Sequence, residues 1–349
     1  MLTSTKLVNI TSAAILGCGR MGQRHAEVLR SMSIDIVAVA DPLHAARTQV
    51  AQDMLGVATP ALFETLQQLL EYRVPDLLVI STTADVHSNQ ALQAIKAGVR
   101  MILLEKPVAT SLADCVRLSN LCNNTNCRIA VNHQMRFLPQ YNIPQELLAS
   151  EKFGGFRSMN VAAGNFGMAM NAIHFFEAFR LLAKEPPDRV SAWFDSDSLP
   201  NPRGAQFKDV SGCIRVTTAS GHRLYIDASA DQGHGSQVTY MARNGRIAID
   251  ELTGDMTTVV RKPEHRDAPT TRYGMPVMIE QHQIPPCELV ESTKAVMQAL
   301  ISGENYPTLT DATLAVKTLV AAYHSQRQGG TEVPLASIAD DDPEVFPWA

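Results

Sequence analysis

The first 130 residues alternate between short, continuous apolar runs and amphipathic stretches of helical period. Residues 12–16 are small and apolar and lead straight into G-C-G-R-M-G at 17–22. The pattern predicts a helix over 23–30, a buried strand over 34–40 that ends at Asp41, and helices near 42–55 and 62–71. The run D-L-L-V-I at 76–80 is a further buried strand, with Ser81, Thr82 and Thr83 at its C-terminal end. A helix over 88–97 is followed by Gly98, which suits a left-handed cap. A strand over 99–104 leads to Glu105-Lys106-Pro107, and a helix over 112–123 and a strand over 128–131 follow. Apolar strands alternating with helices predict an α/β domain with a parallel, doubly wound sheet.

Beyond residue 130 the period shortens. Segments 155–163, Gly212–Thr218, Arg223–Ser229 and Gln237–Ala242 are strand-like. Turn signals separate them, including Ala219-Ser220-Gly221 and Asn244-Gly245, a hairpin pair in which both residues tolerate positive φ. This predicts an α+β domain with an open, mainly antiparallel sheet, interrupted by a helix at 171–183 and closed by helices at 288–301 and 311–326. Residues 195–208 and 262–274 read as exposed loops, and the acidic tail after Ile338 as a surface arm. The expected domains are therefore 1–130 and 131–349. An open sheet needs its free face covered, so a homodimer or homotetramer is expected.

Length agrees with this division, since a single core rarely grows to 349 residues. A net charge of -5 and the lack of any long basic run argue against nucleic acid or an anionic membrane surface as partner. The six cysteines are scattered with no C-x-x-C pair, as in a reduced cytoplasmic protein. No apolar run reaches the length of a membrane span. The apolar start feeds a glycine motif and so reads as a strand rather than a signal segment. Without H-E-x-x-H or similar spacing no catalytic metal is expected, and without G-x-S-x-G no serine hydrolase of that type.

Gly17, Gly19 and Gly22 form G-x-G-x-x-G between a strand and a helix, with an acid, Asp41, closing the next strand. In that context Gly17 allows the tight turn, Gly19 lets the backbone approach a pyrophosphate, and Gly22 lets helix and strand pack closely. The open helix N-terminus supplies N–H groups to the phosphates. The N-terminal domain thus reads as a Rossmann dinucleotide-binding domain. Asp41 is placed to accept from the adenosine ribose and to repel a 2′-phosphate, favouring NAD over NADP. His44 and Arg47 stand nearby as cations able to turn toward a phosphate, and Arg20 is either a loop cation or a solvated arginine.

These residues resemble the glucose-fructose oxidoreductase / inositol dehydrogenase (Gfo/Idh/MocA) family. The resemblance rests on G-C-G-R-M-G-Q-R-H at 17–25, Ser81-Thr82-Thr83 with His87, Glu105-Lys106-Pro107, V-N-H-Q-M-R-F at 131–137, and the stretch from Gly303 to Leu335. It implies a cofactor site made by Gly17, Gly19, Arg20, Met21, Gly22, Asp41, Ser81, Thr82, His87, Glu105 and Lys106. It also implies a cis peptide at Pro107 and substrate contacts from Lys106, Arg136, Asn171 and His174. Lys106 and His174 would be the catalytic pair. The family often carries an Asp four residues before that His, where this chain has Met170. Asn171 and Glu177, each three residues from His174, are the candidates to orient its ring.

The chemistry follows from residue type. An ammonium at a strand end can hold a developing alkoxide, and an imidazole titrates where a general base must. A solvent-facing lysine and a buried structural histidine are the alternative readings. The expected activity is NAD-dependent hydride transfer at a CH–OH group of a sugar, cyclitol or nucleotide-sugar. The rivals are an NAD-retaining lyase or glycosidase and a non-catalytic NAD-binding sensor.

Overall fold

The computed structural model describes residues 10–53, 59–164, 167–196, 200–229, 231–269 and 275–349. They divide into two compact units. The first comprises 1–134, Leu289–Val316 and Asp340–Ala349, and the second Met135–Glu288 and Lys317–Ala339. The division falls four residues past the expected boundary. Two C-terminal segments also return to the first unit, which no local pattern announces.

The first unit is built from β1 (Ser12–Leu16), α1 (Arg20–Ser31), β2 (Asp35–Ala40), α2 (His44–Gln52), β3 (Ala61–Phe63), α3 (Leu66–Tyr72), β4 (Leu77–Ile80), α4 (Ala84–Lys96), β5 (Met101–Leu104), α5 (Leu112–Asn123) and β6 (Arg128–Val131). Its six strands lie in the order β3-β2-β1-β4-β5-β6, the doubly wound order of a dinucleotide-binding sheet. β1, β4 and β5 are buried at every position, which is why they carry no polar alternation. The segment expected as one helix over 62–71 is instead a strand and a helix. Thr65 and Gln68 form a reciprocal capping box that starts α3 only at Leu66, leaving Ala61–Phe63 to pair with β2. The predicted end of the second helix, Leu55, lies outside the described residues.

The expected surface arm is a packed tail. Phe346 N–H donates to the Thr110 carbonyl, and Ala113 N–H to that of Asp342. Phe346 and Trp348 stack at 4.7 Å, and Trp348 has no exposed surface. The acidic residues hid an F-x-W pair whose burial outweighs their solubility.

The second unit contains α6 (Pro139–Ala149), β7 (Phe156–Gly164), α7 (Ile173–Ala183), β8 (Pro187–Phe194), β9 (Gly212–Thr218), β10 (Arg223–Ser229), β11 (Gln237–Ala242), β12 (Gly245–Asp250), β13 (Asp255–Arg261), β14 (Val277–Gln283) and β15 (Val333–Pro334). The helix α8 (Leu289–Ser302) belongs to the first unit, where it packs on α1, β5 and β6, and α9 (Leu309–Arg327) carries the chain into the second. The nine strands form one sheet, β14-β13-β12-β11-β7-β10-β9-β8-β15, antiparallel except for β7 beside β10. Of the two predicted loops, 197–199 and 270–274 lie outside the described residues.

Two local details differ from expectation. α6 is a helix that Pro139 and Pro144 concealed. Pro139 stands in its first turn, where no N–H is needed. Pro144 leaves the Gln140 carbonyl without its helical donor, and the buried Tyr240 hydroxyl donates to that carbonyl at 3.1 Å. At the β11–β12 hairpin neither Asn244 nor Gly245 has positive φ. Gly245 is required instead by proximity, since a Cβ there would lie 2.2 Å from the Val259 carbonyl oxygen of β13.

Along β9 and β10 buried and accessible positions alternate. The accessible side of the sheet carries Trp193, 52% exposed, and Tyr225, 39% exposed, beside Cys213, Arg215 and Asp227.

Truncating Trp348 to Ala should cost about 3–5 kcal/mol of stability, the usual loss for a fully buried large aromatic. A denaturant titration followed by circular dichroism measures it, and an unchanged midpoint would return the tail to the surface.

Candidate functional site

In the first unit the strand ends are in register. Leu16 pairs with Ala40 and Ile80, Ile80 with Leu104, and Leu104 with Val131. The next residue of each strand is therefore Gly17, Asp41, Ser81, Glu105 or Asn132, in one row at the C-terminal edge of the sheet. Ligands of open α/β sheets bind at that edge.

The glycines hold the close approaches expected of them. Gly17 has φ +89°, and a Cβ there would sit 2.7 Å from the Ser81 carbonyl. A Cβ on Gly22 would sit 2.0 Å from the Gly17 carbonyl oxygen, whereas one on Gly19 would meet nothing within 4 Å. Gly19 precedes α1 and brings no side chain to cap it, so the first-turn N–H groups face outward with the positive end of the helix dipole. Arg20 and Met21 form the first positions of that turn.

Asp41 is fastened at both oxygens. It accepts from Cys18 N–H at 2.7 Å and from Leu43 N–H at 2.8 Å, and is 9% exposed. The carboxylate is thereby held beside the glycine loop. Arg47, a possible phosphate ligand on sequence grounds, is buried and donates to the Asp41 and Pro42 carbonyls and to Glu64. His44 faces Thr48 at 3.4 Å.

Ser81 donates to the Gly17 carbonyl at 2.8 Å and thus ties β4 to the loop. Thr82 donates to Gln90 at 2.6 Å. His87 is 1% exposed, with Nδ1 2.8 Å from the Pro107 carbonyl and Nε2 3.2 Å from that of Thr82. Burial lowers its pKa, against the two carbonyl contacts and the Glu105 charge, which raise it. The ring acts as a strut between two loops of the site. The Lys106–Pro107 peptide is cis.

Glu105 is equally enclosed. Its Oε1 accepts from His25 Nε2 and from Asn132 Nδ2, both at 2.8 Å. Burial alone would raise its pKa. The His25 hydrogen bond and charge, the Lys106 charge and the Asn132 hydrogen bond bring it down to about 2. Sequence reasoning missed His25 and Asn132. The signal for His25 was the helical stripe Gly22, His25, Ala26, Leu29, all buried.

In the second unit a π-helical turn, Met168–Ala172, precedes α7 and contains Met170 and Asn171. The helical run thus begins three residues before the expected 171. His174 follows in the first turn of α7 and is 3% exposed. Glu177, a candidate orienter of the His174 ring, is held by arginines. Its Oε1 is held by Arg136 and by Arg180 at 3.1 Å, and its Oε2 by Arg180 at 2.8 Å. Three of the roughly four acceptor sites of this buried carboxylate are thus taken by two guanidinium groups. Arg136 is accordingly a member of this buried cluster. Asp209, unnoticed in the sequence, accepts from the backbone N–H groups of Ala169 at 2.8 Å and Met170 at 2.7 Å. Gly167, at φ +72°, makes room for it, since a Cβ there would lie 2.2 Å from its carboxylate. Among the described residues no cluster of His, Cys, Asp and Glu could hold a metal ion, and no helix is long and apolar enough to cross a membrane.

The fold and this row of residues define a dinucleotide-binding domain. Residues 11–133 match the model of the Gfo/Idh/MocA oxidoreductase family, described as an NAD-binding Rossmann fold. The chain is 23% identical over 270 residues to a myo-inositol 2-dehydrogenase of Thermotoga maritima, covering 72% of this chain and 78% of the relative. It is 22% identical over 259 residues to a 1,5-anhydro-D-fructose reductase of Ensifer adhaerens, covering 67% and 72%. It shares its fold with GenD2 from gentamicin A biosynthesis, a structure in complex with NAD, at a TM-score of 0.74 and 23% identity over 94% of this chain and 97% of that one.

Because the Asp41 carboxylate is fixed and Arg47 is committed to the Asp41 and Pro42 carbonyls and to Glu64, NADH should bind at least about tenfold more tightly than NADPH, a difference of ~1.4 kcal/mol. Calorimetric titration of both reads this directly, and equal affinities would contradict it.

Proposed function

We propose that the chain is an NAD-dependent oxidoreductase that moves a hydride between nicotinamide and a hydroxyl or carbonyl carbon of a sugar, cyclitol or nucleotide-sugar. The observation that carries the reading is the row at the sheet edge. An uncapped helix N-terminus stands over a glycine cradle, with a fixed ribose-facing acid on one side and the Glu105–Lys106–Pro107 turn on the other. The relatives' names, an inositol dehydrogenase and an anhydrofructose reductase, support a polyhydroxylated ring as substrate.

Gly17, Gly19, Arg20, Met21 and Gly22 hold the pyrophosphate, Asp41 the adenosine ribose, and Ser81 and Thr82 line the cofactor's path. NAD, when bound, supplies the hydride acceptor. Lys106, half-buried at the end of β5, donates a hydrogen bond to the reacting oxygen and stabilises negative charge there. His174 takes the hydroxyl proton, and Asn171 and Arg136 bind substrate hydroxyls. With Glu177 engaged by two arginines, Asn171 remains the candidate to orient His174.

Removal of a proton-transfer group costs about 10²–10⁴-fold in rate. Lys106→Ala and His174→Ala should each lose that much turnover on whichever polyol or sugar reduces NAD, while NADH fluorescence still reports binding. Near-normal turnover in either variant would remove that residue from the mechanism. Met170 in place of the family's acid favours one second reading, a sensor. Tight NADH binding with no turnover on a broad panel of sugars and nucleotide-sugars would select it.

The accessible side of the nine-stranded sheet is proposed as the surface through which two copies associate. Light scattering at micromolar concentration should give at least a dimer, and Tyr225→Glu should yield monomers. A wild-type monomer would refute the assignment.

A further inference from the structure

We infer that Asp209 is a positioning residue for His174: from a loop outside the helix it caps the first turn of the helical run that carries Asn171 and His174, and so sets how those two side chains stand to each other. The inference deepens the reading of His174 as proton acceptor and rests on it for its effect on turnover.

A helical run leaves its first four N–H groups without a partner inside the helix. Here they belong to Met168, Ala169, Met170 and Asn171. Gly167, which precedes the run, brings no side chain to cap it, and residues 209 and 210 do so in its place. Met168 N–H donates to the Val210 carbonyl at 3.0 Å, Ala169 N–H to Asp209 Oδ1 at 2.8 Å, and Met170 N–H to Asp209 Oδ2 at 2.7 Å. Asn171 N–H returns to the Gly167 carbonyl at 3.0 Å. The carboxylate is 9% exposed and brings negative charge to the positive end of the helix dipole. Gly167 is part of the same fit. A Cβ on it would lie 2.2 Å from Asp209 Oδ2, so the acid stands where a side chain of residue 167 would begin. The loop that carries Asp209 is itself closed at its base. Asp195 N–H donates to the Ser211 carbonyl and the Ser211 hydroxyl to Asp195 Oδ2, both at 3.0 Å.

The turn under this cap is wide. Ala172 N–H also reaches the Gly167 carbonyl, five residues back, at 3.2 Å. Such π-helical turns are rare and recur at functional sites. An α-helical turn in its place would rotate the residues ahead of α7 by about 100°, one residue's share of a helical turn. The angle between Asn171 and His174 would change with it. By gathering two successive N–H groups, Asp209 fixes the backbone at 169 and 170, immediately before Asn171.

The test uses the full-length protein with ring-labelled histidine, its His174 signal assigned by loss in His174→Gln. In Asp209→Ala that signal should move by more than its linewidth. In Asp209→Asn, which keeps one acceptor, it should lie between those of the two other proteins. Gly167→Ala, whose methyl displaces the carboxylate, should move it in the same direction as Asp209→Ala. On a sugar or polyol that reduces NAD, the kcat of Asp209→Ala should fall about 10²-fold, the loss expected when a catalytic group is misplaced by about 1 Å. NADH affinity should stay within about a factor of three, and Asp209→Asn should recover part of the kcat. An unmoved His174 signal, full kcat in Asp209→Ala, or a loss of NADH affinity beyond that factor would overturn the assignment. If Asp209→Ala fails to fold, Asp209→Asn and Gly167→Ala decide. The histidine signal is read without turnover. A protein inactive on every substrate would therefore defeat the proposed activity and leave this inference to that signal.

Discussion

Five parallel strands of the first unit end in step, and the row that follows them governs everything else at the site. Because Leu16, Ala40, Ile80, Leu104 and Val131 share one register, the chain leaves the sheet five times at the same level. A parallel ladder transmits position across strands by its backbone hydrogen bonds, so no side chain need carry that information. Gly17, Asp41, Ser81, Glu105 and Asn132 then become neighbours although they span more than a hundred residues of sequence. A one-residue slip of β5 would turn Glu105 to the opposite face and dissolve the His25 and Asn132 contacts.

Within that frame, carboxylates act as fasteners. Asp41 closes on the N–H groups of Cys18 and Leu43, and Asp209 on those of Ala169 and Met170. Glu105 and Glu177 close on side chains, the one on His25 and Asn132, the other on Arg136 and Arg180. The pattern has a common physical cause. A carboxylate taken out of water must recover several hydrogen bonds at once, and the groups that provide them become immobile as a consequence. Within each unit the loops around these carboxylates are thereby held without long secondary structure of their own. Glycine is needed where a fastener or a neighbouring backbone comes closest, at Gly22 over the Gly17 carbonyl and at Gly167 against Asp209.

Elements with a strong period were legible in the residues. β1, α5, β6, β9, β10 and β11 have the bounds that alternation or continuous apolarity predicts. The misreadings share a feature, which is a partner distant in sequence. α6 contains Pro144 and survives because Tyr240 supplies the missing donor to Gln140. The tail after Ile338 is acidic, yet Phe346 and Trp348 find a buried place beside Thr110. Asn244-Gly245 was a correct turn with a mistaken cause, since the crowding that demands glycine comes from Val259.

The sequence by itself determined the class of domain and the cofactor it is built for. G-x-G-x-x-G, the acid at 41 and the E-K-P turn are short-range patterns whose meaning depends only on a strand before and a helix after. Tertiary structure alone decided what each polar residue near the site holds. Glu105 looks like a cofactor ligand in the sequence and is enclosed by His25 and Asn132. Glu177 looks like a partner of His174 by helical spacing and is committed to Arg136 and Arg180. Hydrogen-bond partners of a buried acid come from whichever elements the fold packs against it, and helix spacing counts only the candidates on its own element.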